Sequence, residues 1–232
     1  MRLFAMFAAV AALTFSPATS FAREVQTDPP AWAFEESDIP VDPAFHFGVL
    51  DNGMRYVLRS NGTPEGTALV RLHIGAGSLD ETDSERGLAH FVEHMAFNGS
   101  TRIPEGEMIP LLEREGLAFG ADTNASTGFE RTLYMLNLPR NDEDLLETAL
   151  MLMRETASEL LIEQEAVERE RGIILAERRD RNNFAYKAAI DGFEFSAPDA
   201  RFVERVPIGS LEVLENASAE DLRGFYERNY IP

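Results

Sequence analysis

Between Gly87 and Gly99 the chain places His90, Glu93 and His94 within five residues, two of its four histidines beside a carboxylate. Successive residues of an α-helix turn by about 100°, so His90 and His94 stand one above the other and Glu93 lies on nearly the same face. Both imidazoles can reach one metal ion from that face. Two helical histidines are neutral nitrogen donors of the kind zinc takes, and a carboxylate beside them can remove a proton from a water that the metal activates. Hydrolysis of an amide needs that combination. The bare spacing His-x-x-Glu-His also arises by chance, and the same residues fit two histidines on an ordinary amphipathic helix whose apolar face is Leu88, Phe91, Val92 and Met95.

A two-histidine site needs a third ligand. The 232-residue chain has no cysteine, which excludes a disulfide framework and a thiolate site and leaves histidine and carboxylate as donors. His46 and His73 read as strand residues, and spacing alone does not assign His73 to the site. The charged stretch from Glu163 to Arg181 offers Glu163, Glu165, Glu168, Glu170 and Glu177. Glu177 follows Gly172-Ile173-Ile174-Leu175-Ala176, the one apolar run of that stretch, so its side chain can point into a buried neighbourhood where an unpaired carboxylate is costly. Glu170 lies two helical turns earlier on nearly the same face, where it could orient a ligand from behind. Glu–Arg pairs along the helix explain the same charges without any metal.

The elements that must position these residues follow from local pattern. Phe45 to Leu50 and Met54 to Arg59 flank Asp51-Asn52-Gly53, a hairpin signal, and Thr67 to Ile74 alternates as a third strand. The motif helix runs from Gly87 and is closed by Asn98-Gly99. A second helix is expected over Glu105 to Glu115, ended by Gly116, and strands over Leu117 to Thr127 and Phe129 to Leu138. Asp142 to Leu160 after an Asn141 cap, Glu163 to Arg181, Ala185 to Phe195, and Ser218 to Tyr230 capped by Ser218 read as helices, with Pro198 to Ser210 a loop. Strands first and helices later imply an α+β fold with an antiparallel sheet packed against helices.

Residues 1–22, with Arg2, an apolar run from Leu3 to Phe15 and small residues at Ser20 and Ala22, have the layout of a secretory signal peptide, too short for an ordinary membrane span. An uncleaved N-terminal anchor is the alternative. Residues 23–43, with Asp28-Pro29-Pro30, Pro40 and Pro43, read as an extended leader without a core of its own, and 44–232 as the domain. The chain carries 40 Asp and Glu against 21 Lys and Arg, a net charge of −19, and removing the signal segment deletes one arginine and no acid. Such a field repels nucleic acid and anionic membrane surfaces and favours cationic peptides. It also fits a merely soluble acidic surface.

From about Phe45 to Pro232 the chain resembles the N-terminal catalytic region of the pitrilysin/insulinase family of inverted-motif zinc peptidases, in particular its bacterial exported branch. The resemblance rests on Leu50 to Tyr56, on Gly75 to Ser78 with Asp80-Glu81, on Gly87 to Gly99, on Phe119 to Thr127, and on Glu168 to Glu177. It implies one zinc ion held by His90, His94 and Glu177, with Glu93 as general base and Glu170 as the supporting glutamate. Asn124 and Ala125 match the edge-strand segment on which the family lays peptide backbone, so affinity would come from strand pairing. The interval from His94 to Glu177 is a few residues longer than the family spacing, while the Glu170–Glu177 register is kept. The implied activity is a zinc endopeptidase acting on exported or unfolded peptides, in the periplasm or outside the cell. Family members are two halves that close over the peptide, and this sequence stops at Pro232, where the family's first domain would continue. A C-terminally truncated, weakly active piece is therefore expected, with a C-terminal half supplied on the same chain or as a separate subunit. The alternative within the same fold is a non-catalytic interaction subunit or an inactive fragment.

Overall fold

The computed structural model of the protein describes residues 32–232. The signal-peptide reading of 1–22 and the first part of the leader lie outside the described residues. The rest of the leader is not uniformly extended: Ala33–Glu36 form a 3-10 turn, and Trp32 and Phe34 pack on Phe47 with ring centroids 5.0 and 4.7 Å apart. Aromatic side chains give the segment an anchor that its proline and acid content did not suggest.

Strands β1 (Phe45–Val49) and β2 (Arg55–Arg59) form the expected antiparallel hairpin around Asp51-Asn52-Gly53, with Phe47 opposite Val57. They make a two-stranded sheet of their own. The second sheet is antiparallel in the order β3–β5–β4, with β3 at Ala68–Ile74, β4 at Thr123–Thr127 and β5 at Thr132–Leu138. Strand β5 buries Thr132, Tyr134, Leu136 and Leu138 and leaves the alternate residues half-buried, the period of two that a half-covered sheet requires. His73 on β3 and His46 on β1 face outward, so both are strand residues.

Helix α1 (Leu88–Met95) carries the motif and is central. All its residues except His94 are buried, so it is surrounded on every side, by β4 and by the later helices, where one apolar face was expected. Its start is a close approach of two glycines. Gly87 has φ of 111°, and a Cβ on it would come within 2.9 Å of Leu214, while a Cβ on Gly209 would sit 2.4 Å from the Gly87 Cα. A side chain at either position would push α1 off its neighbours.

Helix α2 (Met108–Arg114) starts three residues later than expected, because Pro104 and Gly106 occupy the preceding turn. The strand expected from Leu117 shrinks to β4 because residues 118–122 fold into a turn, with Asp122 and Thr123 N–H groups donating to the Ala118 carbonyl. Helix α3 (Glu143–Ser158) is capped by Asp142, whose carboxylate accepts the Leu145 N–H at 3.1 Å, and not by Asn141. Helices α4 (Gln164–Arg181) and α5 (Phe184–Ser196) follow as expected. The loop after Pro198 contains a 3-10 turn, Arg201–Glu204, and a short helix, α6 (Leu211–Asn216), had no expected counterpart. Helix α7 (Ala219–Asn229) is capped by Ser218 as expected.

α4 and α7 pack on α1, and α3 covers β3 and β5. The core runs from Leu72, Leu136 and Leu138 through Phe91 and Met95 to Leu222 and Phe225. Phe91 is 0% exposed, so Phe91→Ala should destabilise the protein by about 3–5 kcal/mol, read as a lowered denaturant midpoint at unchanged slope.

Candidate metal centre

Helix α1 presents His90 and His94 one turn apart, and α4 delivers Glu177 against them. His90 Nε2 and His94 Nε2 are 3.2 Å apart, and Glu177 Oε2 lies 3.5 Å from the first and 3.4 Å from the second. Donors bound to one tetrahedral zinc at about 2.0–2.2 Å stand roughly 3.3–3.6 Å from one another, so these three atoms have the mutual spacing of a zinc ligand set. Among the described residues they are the one group of three such side chains that could hold a metal ion.

The surroundings shift the two imidazoles in opposite directions. Burial, helped by the charges of His94 and Arg181, pushes the His90 imidazole down to about 3, so it is a neutral donor at physiological pH. Its Nδ1 is buried without a hydrogen-bond partner. For His94 burial opposes the charged form, but the hydrogen bond and charge of Glu170, followed by Glu93 and Glu177, outweigh it and raise the pKa. His94 Nδ1 is 2.6 Å from Glu170 Oε1. In the neutral imidazole a proton held on that nitrogen leaves Nε2 with its lone pair toward His90 and Glu177, the tautomer that metal ligation needs.

Both glutamates of α4 are held in turn. Glu170 Oε2 accepts from Asn98 Nδ2 at 3.1 Å, and the same amide donates to the His94 carbonyl, so Asn98 closes α1 and fixes Glu170 at once. Arg181, one turn beyond Glu177, pairs with its Oε1 and leaves Oε2 to the histidines. Glu177 is half-buried, not enclosed as its apolar flank suggested, because Ile174 alone of that run is fully buried and Ile173 is exposed. Glu163, Glu165 and Glu168 are exposed and stand off the site.

Glu93 is buried on the same helix. Burial raises its pKa, opposed first by Thr127, whose hydroxyl donates to Oε2 at 2.6 Å. A carboxylate shifted toward neutral pH beside two imidazoles and a second carboxylate can accept and return a proton. Asn124 and Ala125 sit on β4, an edge strand packed against α1. Asn124 is exposed, with its side-chain oxygen accepting the Ala125 N–H at 2.9 Å.

Thr127, Asn98, Arg181 and Glu81 are the site's supporting residues that spacing did not single out. Thr127 shares the inward face of β4 with Thr123 and Ala125, a signal readable only once the strand is known to pack on α1. Glu81 is 0% exposed, and its Oε1 accepts the Ala89 N–H at 2.9 Å, tying down the first turn of α1. Its backbone carbonyl takes the guanidinium groups of Arg201 and Arg205 at 2.7 and 3.2 Å. Burial pushes the Glu81 carboxyl up to about 8 against the N–H bonds of Ala89 and Gly87. A folded pKa above the unfolded value of 4.5 gives stability that is complete below 4.5 and lost as pH rises through 8. Relative to Glu81→Gln, which has no charge to bury, the wild-type protein should therefore lose up to about 5 kcal/mol across that window. Melting temperatures of the two at successive pH values read the divergence.

The family model described as "Insulinase (Peptidase family M16)" matches residues 56–191. The chain is 37% identical over 196 residues to the "Probable zinc protease PqqL" of Haemophilus influenzae, covering 84% of this chain and 21% of that protein. Among solved structures it is similar to the first half of the periplasmic protease PqqL from Escherichia coli, with TM-score 0.81, 34% identity, and coverage of 84% of this chain and 42% of that one. It is also similar to pitrilysin, with TM-score 0.67, 29% identity, and coverage of 80% of this chain and 20% of that one. The chain spans about a fifth of the length of the PqqL proteins it matches.

Proposed function

This chain belongs to the insulinase family, peptidase family M16, and we propose that it carries the zinc-binding and proton-transfer residues of an exported endopeptidase. The observation that carries the reading is the convergence of His90 Nε2, His94 Nε2 and Glu177 Oε2 within 3.5 Å of one another, with the buried carboxylate of Glu93 on the same helix as both histidines. His90, His94 and Glu177 would hold the ion, and Glu170 would hold His94 in its ligating tautomer. Zinc there would supply a Lewis acid and a water acidified toward neutrality.

Glu93 takes the proton of the attacking water and returns it to the leaving nitrogen, two transfers by one carboxylate. The peptide lies along β4 beside Asn124 and Ala125, pairing its backbone with the strand's free edge, so affinity is largely indifferent to side chains and specificity comes from pockets. The domain is residues 44–232. Its catalytic partner is a second half, on the same chain or in another subunit, that closes over an unfolded peptide. The signal-peptide layout of 1–22 supports export, as does the periplasmic setting of the Escherichia coli relative. Among the described residues no helix is long and apolar enough to cross a membrane.

Metal analysis of the full-length protein, with an unfolded-peptide hydrolysis assay before and after chelation, tests the reading. About one zinc per chain and activity lost to chelator and restored by zinc are expected. A protein that binds no zinc, or hydrolyses peptide equally well in chelator, would overturn it.

A further inference from the structure

Glu93 has two carboxylate oxygens, and β4 controls one of them. The Thr127 hydroxyl donates to Oε2 at 2.6 Å, within the range for a hydroxyl–carboxylate bond. Thr127 is itself held firmly. It is the last residue of β4, opposite Thr132 in the antiparallel ladder, and the next residue closes the turn with Gly128 N–H donating to the Arg131 carbonyl at 2.8 Å. Thr132 is fixed in turn through its hydroxyl, which donates to the Ala76 carbonyl at 3.0 Å. Gly77 packs against the same turn so closely that a Cβ on it would meet the Gly128 carbonyl at 2.5 Å. The hydroxyl is thus aimed at Glu93 by a backbone clamped on both sides.

We propose that Thr127 is a positioning residue for the base, fixing one oxygen of Glu93 so that the other is presented to the attacking water. The inference rests on the reading of Glu93 as that base. A free carboxylate in a buried site can turn about its terminal torsion, which is broad and roughly two-fold, and each turn misplaces the accepting lone pair. A donor that occupies one oxygen removes that freedom. Because Thr127 belongs to the strand whose outer edge would receive the peptide backbone, one element sets both the substrate's line and the base's orientation. The residues of β4 divide accordingly: Asn124 and Ser126 face out, while Thr123, Ala125 and Thr127 face α1.

Thr127→Val keeps the branched shape and deletes the donor, and Thr127→Ser keeps the donor and deletes a methyl. In the full-length protein, Thr127→Val should lower kcat by about 10- to 100-fold, the usual worth of a hydrogen bond to a charged group. KM should stay within about twofold, and bound zinc should stay at the wild-type level. Thr127→Ser should recover kcat to within about threefold of wild type. Thr127→Ala carries the comparison if the valine variant does not fold, judged by its melting curve. An active, zinc-loaded Thr127→Val with undiminished kcat would overturn the positioning role alone, as would a serine variant no better than valine. A wild-type protein without zinc or chelator-sensitive hydrolysis would overturn the reading of the base and the positioning role with it.

Discussion

Glu93→Gln in the full-length protein is expected to abolish peptide hydrolysis, by about 10²- to 10⁴-fold in kcat, while bound zinc stays at one per chain. The amide is nearly the same size as the carboxylate, and its oxygen can still accept from Thr127, so the bond that orients the side chain survives. The three donor atoms belong to other residues and keep their mutual distances of 3.2 to 3.5 Å. What disappears is the ability to take a proton and give it back. Burial has moved Glu93 in the direction that makes both transfers feasible near neutral pH, and an amide has no such equilibrium. Peptide turnover with metal content measured on the same samples separates the outcomes. Turnover equal to wild type would remove Glu93 from the mechanism, and zinc lost along with activity would assign it a role in holding the metal or the fold.

How far the site could be read from sequence depends on how local each relation is. His90, Glu93 and His94 lie within one helical turn and a half, and α-helical geometry alone puts them on one side. The seven-residue interval between Glu170 and Glu177 has the same property on α4, and both reach α1 from there: Glu170 to His94 Nδ1, Glu177 to both Nε2 atoms. Nothing local says that α4 packs on α1, so the apolar flank of Glu177 and the matching face of Glu170 favoured these two of five glutamates without placing them, and the structure leaves Glu163, Glu165 and Glu168 exposed. Thr127 and Asn98 are further examples. Each is a common polar residue at the end of an element, and its partner, Glu93 or Glu170, lies 34 or 72 positions away.

The fold shows the same division. The Asp51-Asn52-Gly53 hairpin and the Ser218 cap are short-range chemistry and were legible. The cap of α3 moved one residue, from Asn141 to Asp142, because either side chain can cap and only the backbone path decides which one is placed to accept the Leu145 N–H. Helix α6 is six residues long, too short for a periodic signal, and is held from outside: Arg171 on α4 donates to the Leu214 carbonyl within α6 and to the Ala217 carbonyl at its end. The amphipathic reading of α1 was too weak for the same reason. A helix covered on all sides shows its polar residues only where another element offers them partners, and here those residues are the ligand and base candidates.

Glu177 and Glu170 should separate in zinc affinity, although both are glutamates of one helix that contact His94. Glu170→Gln removes the carboxylate behind His94 Nδ1 but leaves all three donors facing one another, and loss of an outer partner of this kind costs about 10- to 100-fold in metal affinity. Glu177→Gln replaces a charged donor with a neutral amide and strands Arg181, which pairs with the carboxylate one turn away. Affinity there should fall by about 10³-fold or more, since a two-histidine remnant lacks the third protein ligand that a catalytic zinc site keeps. Arg181→Ala, which leaves the carboxylate in place, should change affinity by less than either. Competition against a chromogenic chelator at one fixed pH ranks the three variants. Equal losses for Glu170→Gln and Glu177→Gln would mean that both act through the orientation of His94, and that Glu177 Oε2 is not a ligand.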